Sequence, residues 1–130
     1  ALDKGPQLCD TYGQPVMDQL HCFVGNQWKK HYDTPLHQVV CRLTGSIFVV
    51  GSVDTTGPQL AARMQELYEQ MPHECITTTG MMHRVQFTMS GAAAGLDEVE
   101  AKNWPALYEL CDARLRKVQA SGGDRIGCAE

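Results

Sequence analysis

Apolar residues recur along this chain at two spacings, and the switches between them divide it into alternating helices and strands. From Pro15, residues Val16, Leu20, Phe23, Val24 and Trp28 fall on one face of a 3.6-residue repeat. Proline suits the first turn, while Lys29, Lys30 and His31 complement the dipole at the other end. This predicts a helix that stops before Asp33-Thr34-Pro35. The period then drops to two. Val39, Cys41 and Leu43 alternate with Gln38, Val40, Arg42 and Thr44, a strand with one buried face. Gly45-Ser46 turns the chain, and the nearly all-apolar run 46–53 predicts the second, more deeply buried arm of a hairpin.

Asp54-Thr55-Thr56-Gly57-Pro58 opens the next helix with a hydroxyl or carboxylate cap and an early proline. Leu60, Met64, Leu67 and Met71 form its stripe, with Ala61 and Tyr68 at the edge, and Pro72 stops it. Residues 74–79 and 81–89 predict a second strand pair, broken at Gly80. In the latter strand His83, Val85, Phe87 and Met89 share one face and Met82, Arg84, Gln86 and Thr88 the other. Gly91-Ala92-Ala93-Ala94-Gly95 reads as a linker. Asn103 caps a last helix with Pro105 in its first turn and Leu107, Leu110, Cys111, Leu115 and Val118 inward, ended by Ser121-Gly122-Gly123. Residues 1–14, containing Gly5-Pro6 and Tyr12-Gly13, read as an irregular arm. The order helix, hairpin, helix, hairpin, helix predicts an α+β fold: an antiparallel sheet packed against helices, an α/β sandwich, as a single domain over residues 1–130.

Composition adds a compartment. Six cysteines, Cys9, Cys22, Cys41, Cys75, Cys111 and Cys128, are spread over the chain without the close pairs of zinc sites. An even set in a short sequence reads as three disulfides stapling an exported protein, secreted to the extracellular space or held in a periplasm. Each closed loop would contribute about 2–4 kcal/mol. Ala1-Leu2-Asp3-Lys4-Gly5 lacks the apolar core of a signal peptide, so the exported reading expects a mature form. The 43% hydrophobic content is that of a globular protein. A formal net charge of -4 argues against nucleic acid and anionic membranes as generic partners. The longest apolar run, Ile47-Phe48-Val49-Val50, is far short of a membrane span, so no membrane insertion is expected.

Candidate chemistry is sparse. His21, His31 and His37 have neither the helical pairing nor the cysteine spacing of a metal centre. Met81-Met82-His83, with Met71 and Met89, offers soft ligands for copper(I), but strand alternation sends Met81 and Met82 to opposite faces and core packing explains them better. His73, Glu74, His83, Arg84 and Asp54 are the types that acid–base chemistry uses, without any nucleophile elbow, zinc-protease or phosphate-loop motif around them. Trp28-Lys29-Lys30-His31-Tyr32 interleaves bases and aromatics, and Arg114, Arg116, Lys117 and Arg125 form a second basic region. Both read better as solvated helix ends than as polyanion sites. No catalytic, cofactor-binding or metal-ligating residue is assigned, and no cofactor is expected.

Cys41, the run Phe48-Val49-Val50-Gly51-Ser52-Val53-Asp54, an amphipathic helix and Thr79-Gly80-Met81-Met82 follow one another in an order that resembles the secreted necrosis-inducing effector family of plant-pathogenic fungi. That family is similar in turn to the smut-virus killer toxin that blocks calcium channels. The likeness spans residues 16–82 at most. No cysteine follows Met82, Cys75 precedes the glycine, and residues 92–130 have no counterpart. The resemblance implies an α/β sandwich and carries over no functional residues.

The expected function is that of a secreted, disulfide-stabilised effector or toxin-like virulence protein, fungal in type. It would act by binding a host or competitor protein through a sheet edge or the loops at one end of the sandwich, and enzymatic activity is not expected. Two alternatives stay open: a small secreted hydrolase of ribonuclease or phosphodiesterase type using residues 73–84, and a bacterial periplasmic inhibitor or immunity protein.

Overall fold

A computed structural model describes residues 1–32, 38–52, 55–77 and 82–127. Their elements follow the order α1 (Gly5–Tyr12), α2 (Gln14–Tyr32), β1 (Gln38–Thr44), β2 (Ile47–Ser52), α3 (Gly57–Gln70), β3 (Glu74–Thr77), β4 (His83–Gln86), β5 (Ser90–Ala92), α4 (Trp104–Ala120) and β6 (Arg125–Gly127). This is a mixed helix and sheet protein of the α+β kind. The described strands do not join into one sheet. They form three two-stranded ladders, β1–β2, β3–β4 and β5–β6. Residues 1–51 and 71–88 make one compact unit, and residues 52–70 and 89–130 make another.

The core of the first unit is built on α2. Val16, Leu20, Val24 and Trp28 are buried as the repeat predicts, Phe23 of the same stripe is half-buried, and Met17 and His21 join the core. Trp28 is only 2% exposed, so this aromatic of the basic stretch belongs to the core and not to a surface platform, while the side chain of Tyr32 lies outside the described ones. Against this, β3 and β4 pair antiparallel with Cys75 opposite Val85 and Thr77 opposite His83. Alternation holds: Cys75, Thr77, Val85 and Phe87 are buried, while Ile76, Arg84 and Gln86 face outward. Met82 is 74% exposed and Met89, in the second unit, is buried.

Three expectations are corrected here. The arm 1–14 contains a helix. Pro6 lies within its first turn, and Gly13, at φ 88°, receives the chain at its end with its N–H donating to the Cys9 carbonyl at 2.7 Å. The Gly-Pro and Tyr-Gly pairs thus bound a helix and do not interrupt one. Second, Leu43 is 46% exposed and β2 is half-buried throughout, so the hairpin is wetter than its apolar letters suggest. Third, the linker is partly a strand: β5 pairs in parallel with β6, Ser90 opposite Arg125 and Ala92 opposite Gly127.

In the second unit α3 begins with a reciprocal cap. The Gln59 N–H donates to Thr56 Oγ1 at 3.3 Å and the Thr56 N–H donates to Gln59 Oε1 at 3.1 Å. The buried face of α3 is turned from the expected stripe. Ala61 and Tyr68 are buried, whereas Leu60, Met64 and Leu67 are half-buried. The Tyr68 hydroxyl accounts for the rotation, accepting from the Met89 N–H at 2.8 Å and donating to Asp124 Oδ1 at 2.6 Å. Gln65 Oε1 accepts from the Ile126 N–H at 2.7 Å, so one helix face holds both strands of the parallel pair. On α4, Asn103 Oδ1 caps by accepting from the Ala106 N–H at 3.0 Å, as expected. Of its apolar stripe Val118 is buried, and Leu107, Leu110, Cys111 and Leu115 are half-buried.

Candidate binding site

Within the first unit a cavity of about 620 Å³ opens where α1 begins and the β3–β4 ladder starts. Asp3, Lys4, Leu8, His73, Glu74, Gln86, Phe87 and Thr88 line it. Two backbone bonds shape it. The Asp3 N–H donates to the Thr88 carbonyl at 2.9 Å, tying the arm to the strand end, and the Phe87 N–H donates to the His73 carbonyl at 3.0 Å, extending the ladder. Lys4 is the residue before α1, held at φ 54°, and the Leu8 N–H makes the first turn by donating to its carbonyl at 3.0 Å.

The polar groups are partly committed. Thr88 Oγ1 donates to Asp3 Oδ2 at 2.7 Å, which directs the hydroxyl proton into the carboxylate. Glu74 meets Arg84 Nε at 3.0 Å on the solvent face. The His73 ring lies 6.2 Å from the Phe87 ring at 42°. The lining combines two apolar side chains, Leu8 and Phe87, with both signs of charge, Lys4 against Asp3 and Glu74. Such a lining offers apolar, hydrogen-bonding and charged contacts together. Its volume falls within the range, about 300–1,000 Å³, of pockets that hold small ligands or short segments.

The acid–base candidates do not converge. His73 stands opposite Phe87, while His83 stands opposite Thr77 and packs edge-on against Tyr12 at 5.4 Å. The two histidines are therefore four positions apart on the ladder, about 13 Å at roughly 3.3 Å per residue. Asp54, His37, Met81 and Cys128 lie outside the described residues, as do the side chains of His31 and Cys41. No disulfide is formed among the described cysteines, Cys9, Cys22, Cys75 and Cys111, so the structure does not show the three links expected from the six cysteines. Cys75 is buried, and loss of hydration pushes its thiol pKa upward, while Cys22 is exposed. Three of the four members of the second basic region have internal partners: Arg114 forks onto Glu98, Arg116 meets Asp112 at 3.1 Å, and Arg125 Nη2 donates to Ser121 Oγ at 2.7 Å, while Lys117 is exposed.

Residues of the arm were invisible as site residues in the sequence. Asp3, Lys4 and Leu8 join the cavity only because α1 exists and because the Asp3–Thr88 contact returns the arm to the sheet. A second polar cluster was equally hidden. His21, 6% exposed, lies 2.7 Å from Ser46 Oγ through Nε2, and its Nδ1 finds no partner among the described residues. Burial, reinforced by the Arg42 charge and opposed by Asp18, holds the His21 pKa below the usual histidine value.

Among the described residues no helix is long and apolar enough to cross a membrane. The chain matches no family model, and no curated protein matches it.

Proposed function

We propose that this is an exported, disulfide-stabilised protein of effector or toxin type that acts by recognition, holding a short segment of a partner protein in the cavity beside α1. The observation that carries the proposal is the lining of that cavity. It joins the charges of Lys4, Asp3 and Glu74 to the apolar side chains of Leu8 and Phe87, and the hydroxyl of Thr88 is already bonded to Asp3. The separation of His73 from His83 supports recognition over the phosphodiester hydrolase alternative, because a general acid and base must reach the same scissile group. Export rests on the six widely spaced cysteines.

Two measurements test the parts separately. Intact mass with and without reductant should differ by two hydrogens per link for three links; six alkylatable thiols in the untreated natural protein would remove the export argument. Chemical-shift mapping with a pool of capped tripeptides should cluster its shifts on Asp3, Lys4, His73 and Glu74, and Lys4→Glu should abolish them. Turnover of a phosphodiester that vanishes in His73→Ala would replace recognition with catalysis.

A further inference from the structure

The second unit carries an aromatic surface that the cavity does not explain. Trp104 is 55% exposed and Leu96 47% exposed. The Trp104 ring lies 5.8 Å from that of Tyr108, tilted at 43°, one helical turn further along α4. A tryptophan rarely stands this far into water, and at interfaces it is among the residues that most often dominate binding. The flank is rigid. Leu96 to Glu98 form a 3-10 turn, and Lys102 Nζ donates to the carbonyls of Leu96 and Val99, the former at 2.9 Å, closing the loop that leads into α4.

Charge selects the occupant. Between positions 96 and 112 the sequence holds Asp97, Glu98, Glu100, Glu109 and Asp112 against Lys102 alone. Glu98 is neutralised by the Arg114 fork and Asp112 by Arg116. Lys102 is turned onto backbone carbonyls. Asp97, Glu100 and Glu109 are exposed and make no ion pair among the described residues. Exposed aromatic faces with uncompensated carboxylates close to them in sequence favour cations, and a guanidinium both stacks on indole and forks onto carboxylates.

We infer that the Trp104–Tyr108 surface docks an arginine-rich segment of a partner protein, its guanidinium groups stacking on Trp104 and Tyr108 while the exposed carboxylates of Asp97, Glu100 and Glu109 neutralise them. The surface and the cavity share no residue, so either can fail without the other.

The test uses the full chain and a hexa-arginine peptide, with hexalysine, hexaglutamate and spermine as comparisons. Trp28 is buried, so Trp104 dominates the quenchable fluorescence. Hexa-arginine should quench it saturably, bind more tightly than hexalysine, and weaken between 50 and 500 mM salt, while hexaglutamate does nothing. Measured by isothermal titration calorimetry, which does not need the indole as reporter, Trp104→Ala should weaken binding by at least about fivefold and Trp104→Phe by less, because the phenyl ring keeps a π face. The double change Asp97→Asn with Glu100→Gln should weaken it further. Unchanged affinity in Trp104→Ala, with the melting temperature preserved, would overturn the inference. So would spermine binding as tightly as hexa-arginine, which reduces the surface to ion exchange. A dimer that Trp104→Ala converts to monomer would also overturn it, by making a second copy of the chain the occupant.

Discussion

His21 and Ser46 meet in the interior with one imidazole nitrogen bonded and the other unpartnered among the described residues. Burial keeps the folded-state pKa of His21 below the unfolded value of 6.5, so the unfolded chain takes up a proton that the folded one resists. Above that value both states are neutral and nothing is lost; as pH falls below it, stability declines until the lowered folded pKa is reached. The melting temperature should therefore drop on going from pH 7.5 to 5.5, and His21→Gln should flatten that slope, as scanning calorimetry at several pH values would show. Gly57 is a second single-residue constraint. A Cβ there would stand 2.5 Å from Glu98 Oε2 and 3.0 Å from the Gly95 nitrogen. The backbone atom cannot swing aside as a side-chain tip can, so Gly57→Ala should cost about 1–3 kcal/mol in denaturant unfolding, despite alanine's better helix propensity. Neither constraint is legible in the chain, because each arises from atoms far away in sequence.

Helix termini were the most legible features at the element scale. Thr56 and Gln59 bond reciprocally at the start of α3, and Asn103 caps α4, both readable from residue types at fixed offsets. Thr56→Ala should destabilise by about 0.5–2 kcal/mol, measurable by urea titration. The clamp between Arg114 and Glu98 was not legible. Arg114 donates to both Glu98 oxygens, at 3.1 and 2.9 Å, and to the Ala93 carbonyl at 2.9 Å, while Glu98 also accepts from the Gly95 N–H at 2.7 Å. These bonds, the Arg114 side chain first, hold the Glu98 carboxyl below its ordinary pKa. The stabilisation is present above the unfolded value of 4.5 and is lost as pH falls through the lowered folded value. Arg114→Met keeps the side-chain length and should cost about 1–3 kcal/mol at neutral pH, with the difference from the parent shrinking in acid. In the sequence Arg114 looked like a member of a basic patch, since a pairing partner 16 residues away leaves no local trace.

Across the whole chain the cysteines carry the compartment argument. If three links close this body, as proposed, reductant should lower the melting temperature by tens of degrees, given about 2–4 kcal/mol for each. Differential scanning fluorimetry with and without a thiol reductant measures this directly, and an unchanged midpoint would argue for a chain folded without them. The two docking surfaces proposed lie in different units, the cavity in the first and the aromatic face in the second. They differ in chemistry as well, mixed charge with apolar side chains against exposed rings with carboxylates close to them in sequence.

Local order was settled by the residues themselves. The 3.6-residue stripe of α2, the strand alternation from Cys75 to Phe87 and the caps of α3 and α4 all rest on neighbours within one or two turns. Physical periodicity writes such features directly into the letters. Tertiary structure alone decided the parallel pairing of β5 with β6, the rotation of α3 toward Tyr68, the helix inside the N-terminal arm and the cavity it completes. Each of these joins groups distant along the chain or turns a Gly–Pro signal into a helix boundary. Their energies come from contacts that exist only once the chain has returned on itself.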